Sequence, residues 1–226
     1  MTTRHTTHPA RTLRAAYGTA STVVAALDDE ESWLPTGCTG WAVRDLLFHC
    51  LQDAQRGLVA LHTPARGRAD RDAVTYWRDW RPGSAGAANG RRWARVNGSM
   101  FLDFGQLREL CLETLAAAVH AAEAADPACR VATQGHVLTA GDLVTTLAVE
   151  ATVHHLDLTV GLPLAPGPSP EGLAAVRATL DGLLGRPAPP DWSDARYARV
   201  GTGRAALTEA ERAALGPAAD RFPLFG

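Results

Sequence analysis

The segment from Thr139 to Val160 constrains the fold more than any other part of the chain. Leu143, Val144, Leu147, Val149, Val153, Leu156 and Val160 cover nearly the whole circumference of a helix there. A helix that is apolar all round has to be enclosed by other elements. Within it stand Glu150 and His154, four residues apart, so both side chains leave one face a single turn from each other. A carboxylate in such surroundings must be protonated, paired or bound to a cation, because an isolated buried charge is very costly. Pairing with Arg108 or another arginine, a bond to His154, and a metal ion each satisfy that demand.

The enclosing elements can be read from helical spacing. Leu13, Ala16, Tyr17, Ala20, Val24 and Leu27 predict a first helix over about residues 10–29. After a loop through Trp33, Pro35 and Gly37, Thr39 is the expected N-cap of a second helix from about Gly40 to His62. Its apolar face carries Val43, Leu46, Leu47, Cys50, Ala54, Leu58 and Leu61, while Asp45, His49, Gln52, Asp53 and Arg56 gather on another. Residues 65–98, rich in Arg, Gly and Trp, show no sustained period and read as a long loop with short helical pieces. A third long helix follows over about 101–125 and stops before Pro127. Arg130 to Val137 reads as a short strand or extended connection, and Thr139 with Asp142 as the capping box that opens the fourth helix.

Four such helices predict a mainly α protein, a helical bundle with its site inside, over residues 1–163. Residues 164–226 form a small appendage after the Pro/Gly linker at 165–170. A fifth helix is expected over Pro170–Leu184, a short hairpin over Tyr197–Leu207 through Gly201 and Gly203, and a last short helix capped by Thr208 and Glu211. The appendage is thus expected to be α/β.

Composition excludes several classes. All 22 basic residues are Arg, yet the formal net charge is −2, without the surplus that neutralises phosphates, so nucleic acid is not an expected partner. No run of 18 apolar residues occurs, so no membrane span is expected. Ala15–Leu27 imitates a signal-peptide core but is diluted by Gly18, Thr19, Ser21 and Thr22, and it reads as an amphipathic helix. Cysteines at 38, 50, 111 and 129 are too dispersed for a paired zinc motif and too few for a disulfide scaffold, which points to a reducing cytoplasm.

His49 is the one histidine inside the second helix. Added to Glu150 and His154, it completes two imidazoles and one carboxylate, a set that leaves coordination positions open for substrate. The runs Gly-Trp-Ala-Val-Arg-Asp-Leu-Leu-Phe-His at 40–49 and Glu-Ala-Thr-Val-His-His-Leu-Asp-Leu at 150–158 resemble the two signature segments of the DinB-like superfamily. They resemble in particular its mycothiol-dependent maleylpyruvate isomerase branch, over roughly residues 10–160. That resemblance implies a DinB-like four-helix bundle holding a divalent metal through His49, Glu150 and His154. It implies zinc, with nickel, manganese or iron(II) as alternatives, and mycothiol as cosubstrate. It further implies thiol addition and release giving isomerisation, or a net S-transfer, on a small electrophilic substrate by a monomer or homodimer.

Asp45, one turn before His49, and Asp157, one turn from His154, can each orient a ligand. His155 points about 100° away from His154 by helical geometry and is not expected to be a ligand. The C-terminal stretch from Val200 resembles extensions of some members, and there Arg204 can hold a substrate carboxylate by a forked contact or merely occupy the turn before a capped helix. His5, His8, His62 and His120 lack a ligand partner, and Cys50 reads as a small buried hydrophobe. Two rival functions fit the same residues: a metal-dependent hydrolase that activates water, and a non-catalytic small-molecule-binding bundle.

Overall fold

Thr139 accepts the N–H of Asp142 at 3.0 Å and starts α5 (Ala140–Leu158), the enclosed helix expected from the sequence. Around it, in a computed structural model that describes residues 8–80 and 85–226, stand α1 (Pro9–Ala26), α2 (Val43–Leu61) and α4 (Phe104–Ala124). Helix α1 packs on α4 and α5, and α2 packs on the same two, so the four form a closed ring of neighbours. Leu13, Val43, Leu46, Leu107, Cys111, Leu143 and Ala148 fill the space between them. Residues 1–7 and 81–84, His5 among them, lie outside the described part.

Several local expectations are corrected. The second helix begins at Val43 rather than Gly40, because Gly40 takes a left-handed φ of 82° that a helix cannot include. Thr39 therefore does not cap it. The stretch expected to be mostly loop contains a 3₁₀ turn over Thr75–Asp79 and a full helix, α3 (Ala85–Gly98), which packs against α2. Its pattern hid it: Ala94 is buried, whereas Trp93 and Val96 are exposed. The extended connection is a two-stranded antiparallel hairpin, β1 (Arg130–Thr133) with β2 (His136–Thr139), turned at Gln134 and Gly135 with φ 49° and 83°. Positive φ at both turn positions is the twist that matches a tight hairpin.

The C-terminal extension opens with α6 (Pro170–Leu184), capped by Ser169, which packs on α5 and α1. The expected hairpin at Tyr197–Leu207 is not formed: Tyr197 lies in α7 (Asp194–Gly201), started by Ser193, which accepts the Arg196 N–H. An N-cap and an apolar Tyr197/Ala198/Val200 cluster outweigh the glycine signal. Thr208 and Glu211 do form the capping box of α8 (Glu209–Leu215). A second apolar cluster joins Leu180, Tyr197 and Phe225 to Val149, Val153 and Leu156 of α5. Helix α5 is thus buried on the bundle side and on the extension side alike. No helix among the described residues is long and apolar enough to cross a membrane.

Candidate metal centre

The third and fourth turns of α5 and the second turn of α2 meet at the core's edge and bring His49, Glu150 and His154 together. One donor atom from each lies within 4.8 Å of the other two. Nε2 of His49 and Nε2 of His154 each stand 3.3 Å from the same Glu150 oxygen, Oε1. The two imidazoles meet edge to face, 4.7 Å between centroids, and the Trp41 ring lies 5.1 Å from that of His49. Glu150 is not sealed in: its side chain keeps 27% exposure and that of His49 23%, against 8% for His154. The cluster therefore faces solvent on one side, where a ligand can approach.

Asp157 is fully buried and governs the orientation of His154. Its Oδ2 lies 3.0 Å from His154 Nδ1 and accepts the Cys38 thiol at 3.2 Å. Its backbone carbonyl accepts the Gly37 N–H at 2.9 Å. The chain passes so close here that a Cβ at residue 37 would meet Asp157 Oδ1 at 2.5 Å, which only glycine avoids. A carboxylate on Nδ1 fixes the ring and turns Nε2 toward Glu150. Arg204 forks onto the far side of Asp157, with Nε 3.2 Å from Oδ1 and Nη2 3.0 Å from Oδ2, while Nη1 donates to the Thr202 carbonyl at 2.9 Å. The guanidinium that the sequence offered for a substrate carboxylate is thus engaged with an internal one.

Asp45 does something other than orient His49. Its Oδ2 accepts the Ala42 N–H at 3.0 Å, because it occupies the first turn of α2, where unsatisfied backbone donors compete for it. The carboxylate beside His49 is Asp53, one turn further on: Oδ2 lies 3.2 Å from His49 Nε2. Its direction is off a hydrogen bond, so this buried oxygen has no partner among the described residues. Arg56 pairs with the other oxygen. Sequence spacing carried a signal for Asp53, four residues from His49 on the same polar face. None existed for Cys38, which only the fold of its loop brings to His154 and Asp157.

The electrostatics suit a cation. Burial pushes the Glu150 carboxyl up, but hydrogen bonds from His154 and His49 outweigh it and hold the group well below the usual carboxylate range. Burial pulls His154 down, yet Asp157, Cys38 and Glu150 together raise it well above the ordinary value. Two imidazole nitrogens, one ionised carboxylate and an orphaned buried carboxylate oxygen make a donor set that fits a divalent ion. The other histidines stand apart. His155 Nε2 lies 2.8 Å from the Pro166 carbonyl, and burial lowers its pKa. His62 bonds the Leu58 carbonyl, and His120 is exposed. Arg108 donates to the Leu27 carbonyl rather than to Glu150. Cys50 packs against the core, and burial pushes its thiol well up.

The family model described as "Mycothiol maleylpyruvate isomerase N-terminal domain" matches residues 13–159, the span of the four-helix ring. Two solved structures share the fold over 91% of this chain and 93% of theirs. One is a mycothiol-dependent maleylpyruvate isomerase, with 20% identity and a TM-score of 0.62. The other is a histidine-to-alanine mutant of a mycothiol-dependent maleylpyruvate isomerase, with 19% identity and a TM-score of 0.63. No curated protein matches the chain.

Proposed function

Since the chain belongs to the mycothiol maleylpyruvate isomerase N-terminal domain family, we propose that it is a divalent-metal-dependent enzyme that uses a low-molecular-weight thiol, mycothiol, to isomerise a small electrophilic substrate. The observation that carries this reading is the convergence of His49 Nε2, His154 Nε2 and Glu150 Oε1 within 4.8 Å of one another on the open side of the bundle. Of the divalent ions, zinc suits two imidazoles and a carboxylate best. We place the enzyme in a reducing compartment, the cytoplasm, where such a thiol stays reduced; all four cysteines of the chain are free.

A bound divalent cation supplies the positive charge that keeps a thiol ionised at neutral pH. The residues do the rest. His49 and His154 would present Nε2 to the cation, Glu150 would balance its charge, and Asp157, bonded to Nδ1, orients His154 so that Nε2 faces that point. In the reaction the thiolate sulfur bonds to one carbon of the substrate's conjugated double bond, and the electron pair moves into the adjoining carbonyl. The former double bond turns about what is now a single bond. Re-formation of the double bond expels the thiolate, so the thiol is regenerated and no oxidant is consumed.

His49→Ala, Glu150→Ala and His154→Ala are each expected to lower metal content by at least tenfold together with activity, since losing one of three ligands removes much of the binding energy. Elemental analysis and a cobalt-substituted sample test it. The visible spectrum should change on adding the reduced thiol and not on adding its disulfide. Full metal occupancy in all three variants refutes the ligand assignment. A cobalt spectrum blind to thiol, with substrate hydrolysed instead, refutes the thiol chemistry, and stoichiometric consumption of thiol replaces isomerisation by S-transfer.

A further inference from the structure

The His154 ring has donors at both of its edges. Nε2 turns toward Glu150, whereas Nδ1 faces a different pair, Cys38 and Asp157. Cys38 Sγ lies 3.8 Å from His154 Nδ1 and 3.2 Å from Asp157 Oδ2, and Nδ1 lies 3.0 Å from the same oxygen. A tetrahedral zinc ion, with bonds of about 2.3 Å to sulfur and about 2.0–2.2 Å to nitrogen and oxygen, spaces such donors about 3.3–3.6 Å apart. The three atoms already stand close to those spacings, as a second group of potential ligands that shares only His154 with the first.

The loop before α2 holds the sulfur in place without help from an ion. Thr36 Oγ1 accepts the Cys38 N–H at 3.2 Å, and the Cys38 carbonyl accepts the Trp41 N–H at 3.1 Å. The Gly37 N–H ties the same loop to the Asp157 carbonyl. An arriving ion therefore finds donors that are ordered in advance. It also finds a way in: Cys38 is half-buried and lines a cleft of about 420 Å³ together with Thr36, Trp41 and Ser99, while His154 and Asp157 lie buried behind it. Arg204 engages Asp157 from the far side, and its charge opposes a cation held by the carboxylate alone. The thiolate tips that balance, because it adds a second negative charge and a soft donor that prefers zinc or cadmium to magnesium or calcium.

We propose that Cys38, His154 Nδ1 and Asp157 form a second metal site, for a thiophilic divalent cation such as zinc or cadmium, back to back with the centre at His49, Glu150 and His154. The ion bonds to Sγ, Nδ1 and Oδ2, and the protons on the thiol and on Nδ1 leave to water. Three protein donors leave a fourth position for a water molecule from the cleft. The site stands without the thiol-dependent reading and without an ion at Nε2.

Equilibrium dialysis against cadmium in buffer free of added thiol, read with the ultraviolet cadmium–thiolate absorption band, tests the proposal. The wild type is expected to bind two ions per chain and to show the band. Cys38→Ser should bind one and lose the band, and Cys129→Ser, which removes the exposed thiol, should keep both ions and band. Glu150→Ala should keep the band and bind one ion. On the wild type itself, cadmium should slow alkylation of Cys38, followed by peptide mass spectrometry, at least tenfold, and magnesium should not. Absence of the band from the wild type, a band that persists in Cys38→Ser, or alkylation of Cys38 indifferent to cadmium overturns the proposal. One ion with the band, in wild type and Glu150→Ala alike, upholds it and refutes instead the ligand set of His49, Glu150 and His154.

Discussion

Asp157 carries more of the site's geometry than either histidine. It accepts from His154, Cys38 and Arg204 and is wholly removed from solvent, so its charge is tolerable only while those donors are in place. Deleting one member of a buried pair leaves an uncompensated charge and costs roughly 3–5 kcal/mol. Because Arg204 keeps some exposure, we expect Arg204→Ala to lower unfolding free energy by about 3 kcal/mol and to reduce metal content, since His154 loses part of what orients it. Urea unfolding with elemental analysis of the same preparations checks both. Arg204→Lys, which keeps the charge but not the fork, should fall between. Unchanged stability in Arg204→Ala would remove the structural role assigned here. The pairing of residue with task was only partly legible in the sequence. Glu150 and His154 announced themselves by standing on an apolar helix, whereas Asp45 and Asp53 occupy equivalent offsets from His49. The choice between them falls to helix-end chemistry, which draws Asp45 to the Ala42 N–H.

At the scale of elements, legibility followed burial. Helices α1, α2, α4 and α5 bury continuous stripes, and their spacing could be read. The described residues of helix α3 bury little, and the helix carries glycines at 86, 90 and 98, so no period marked it. The β1–β2 hairpin turns on Gln-Gly, a weaker signal than Asn-Gly. Helix α8 was legible from its cap, and that cap makes it acid-sensitive. The Arg196 side chain, hydrogen-bonded to Glu211, draws its carboxyl down to about 2, with the Thr208 backbone adding to the effect. An ordinary Glu titrates near ~4.3. The folded value is the lower one, so the contribution to stability is whole above ~pH 5 and is lost as pH falls toward 2. The urea midpoint of the wild type should fall over that window by more than that of Glu211→Gln, which cannot ionise. Near neutral pH the variant should cost about 1 kcal/mol or less, as such caps and pairs do. Equal acid sensitivity of the two proteins would contradict this.

For the whole molecule, the two apolar clusters meet on α5. Val149, Val153 and Leu156, together with Leu138 at the end of β2, face the C-terminal extension. A chain cut after residue 163 would present them to water at on the order of 1.5–3 kcal/mol each, a large part of a typical ~5–15 kcal/mol stability. Such a fragment is expected to bind a hydrophobic dye and to lose cooperative melting, although it retains His49, Glu150 and His154. A sharp thermal transition without dye binding would show the four-helix ring to be self-sufficient. Helix α5, walled in on both sides, has almost no face on which a change of side chain goes unfelt. Helix α3, where Ala94 is the single wholly buried apolar side chain among the described residues, can exchange most of those residues without disturbing what lies beneath. Diversification in molecules built on this plan should therefore concentrate on the outer helix, while the buried one keeps its spelling.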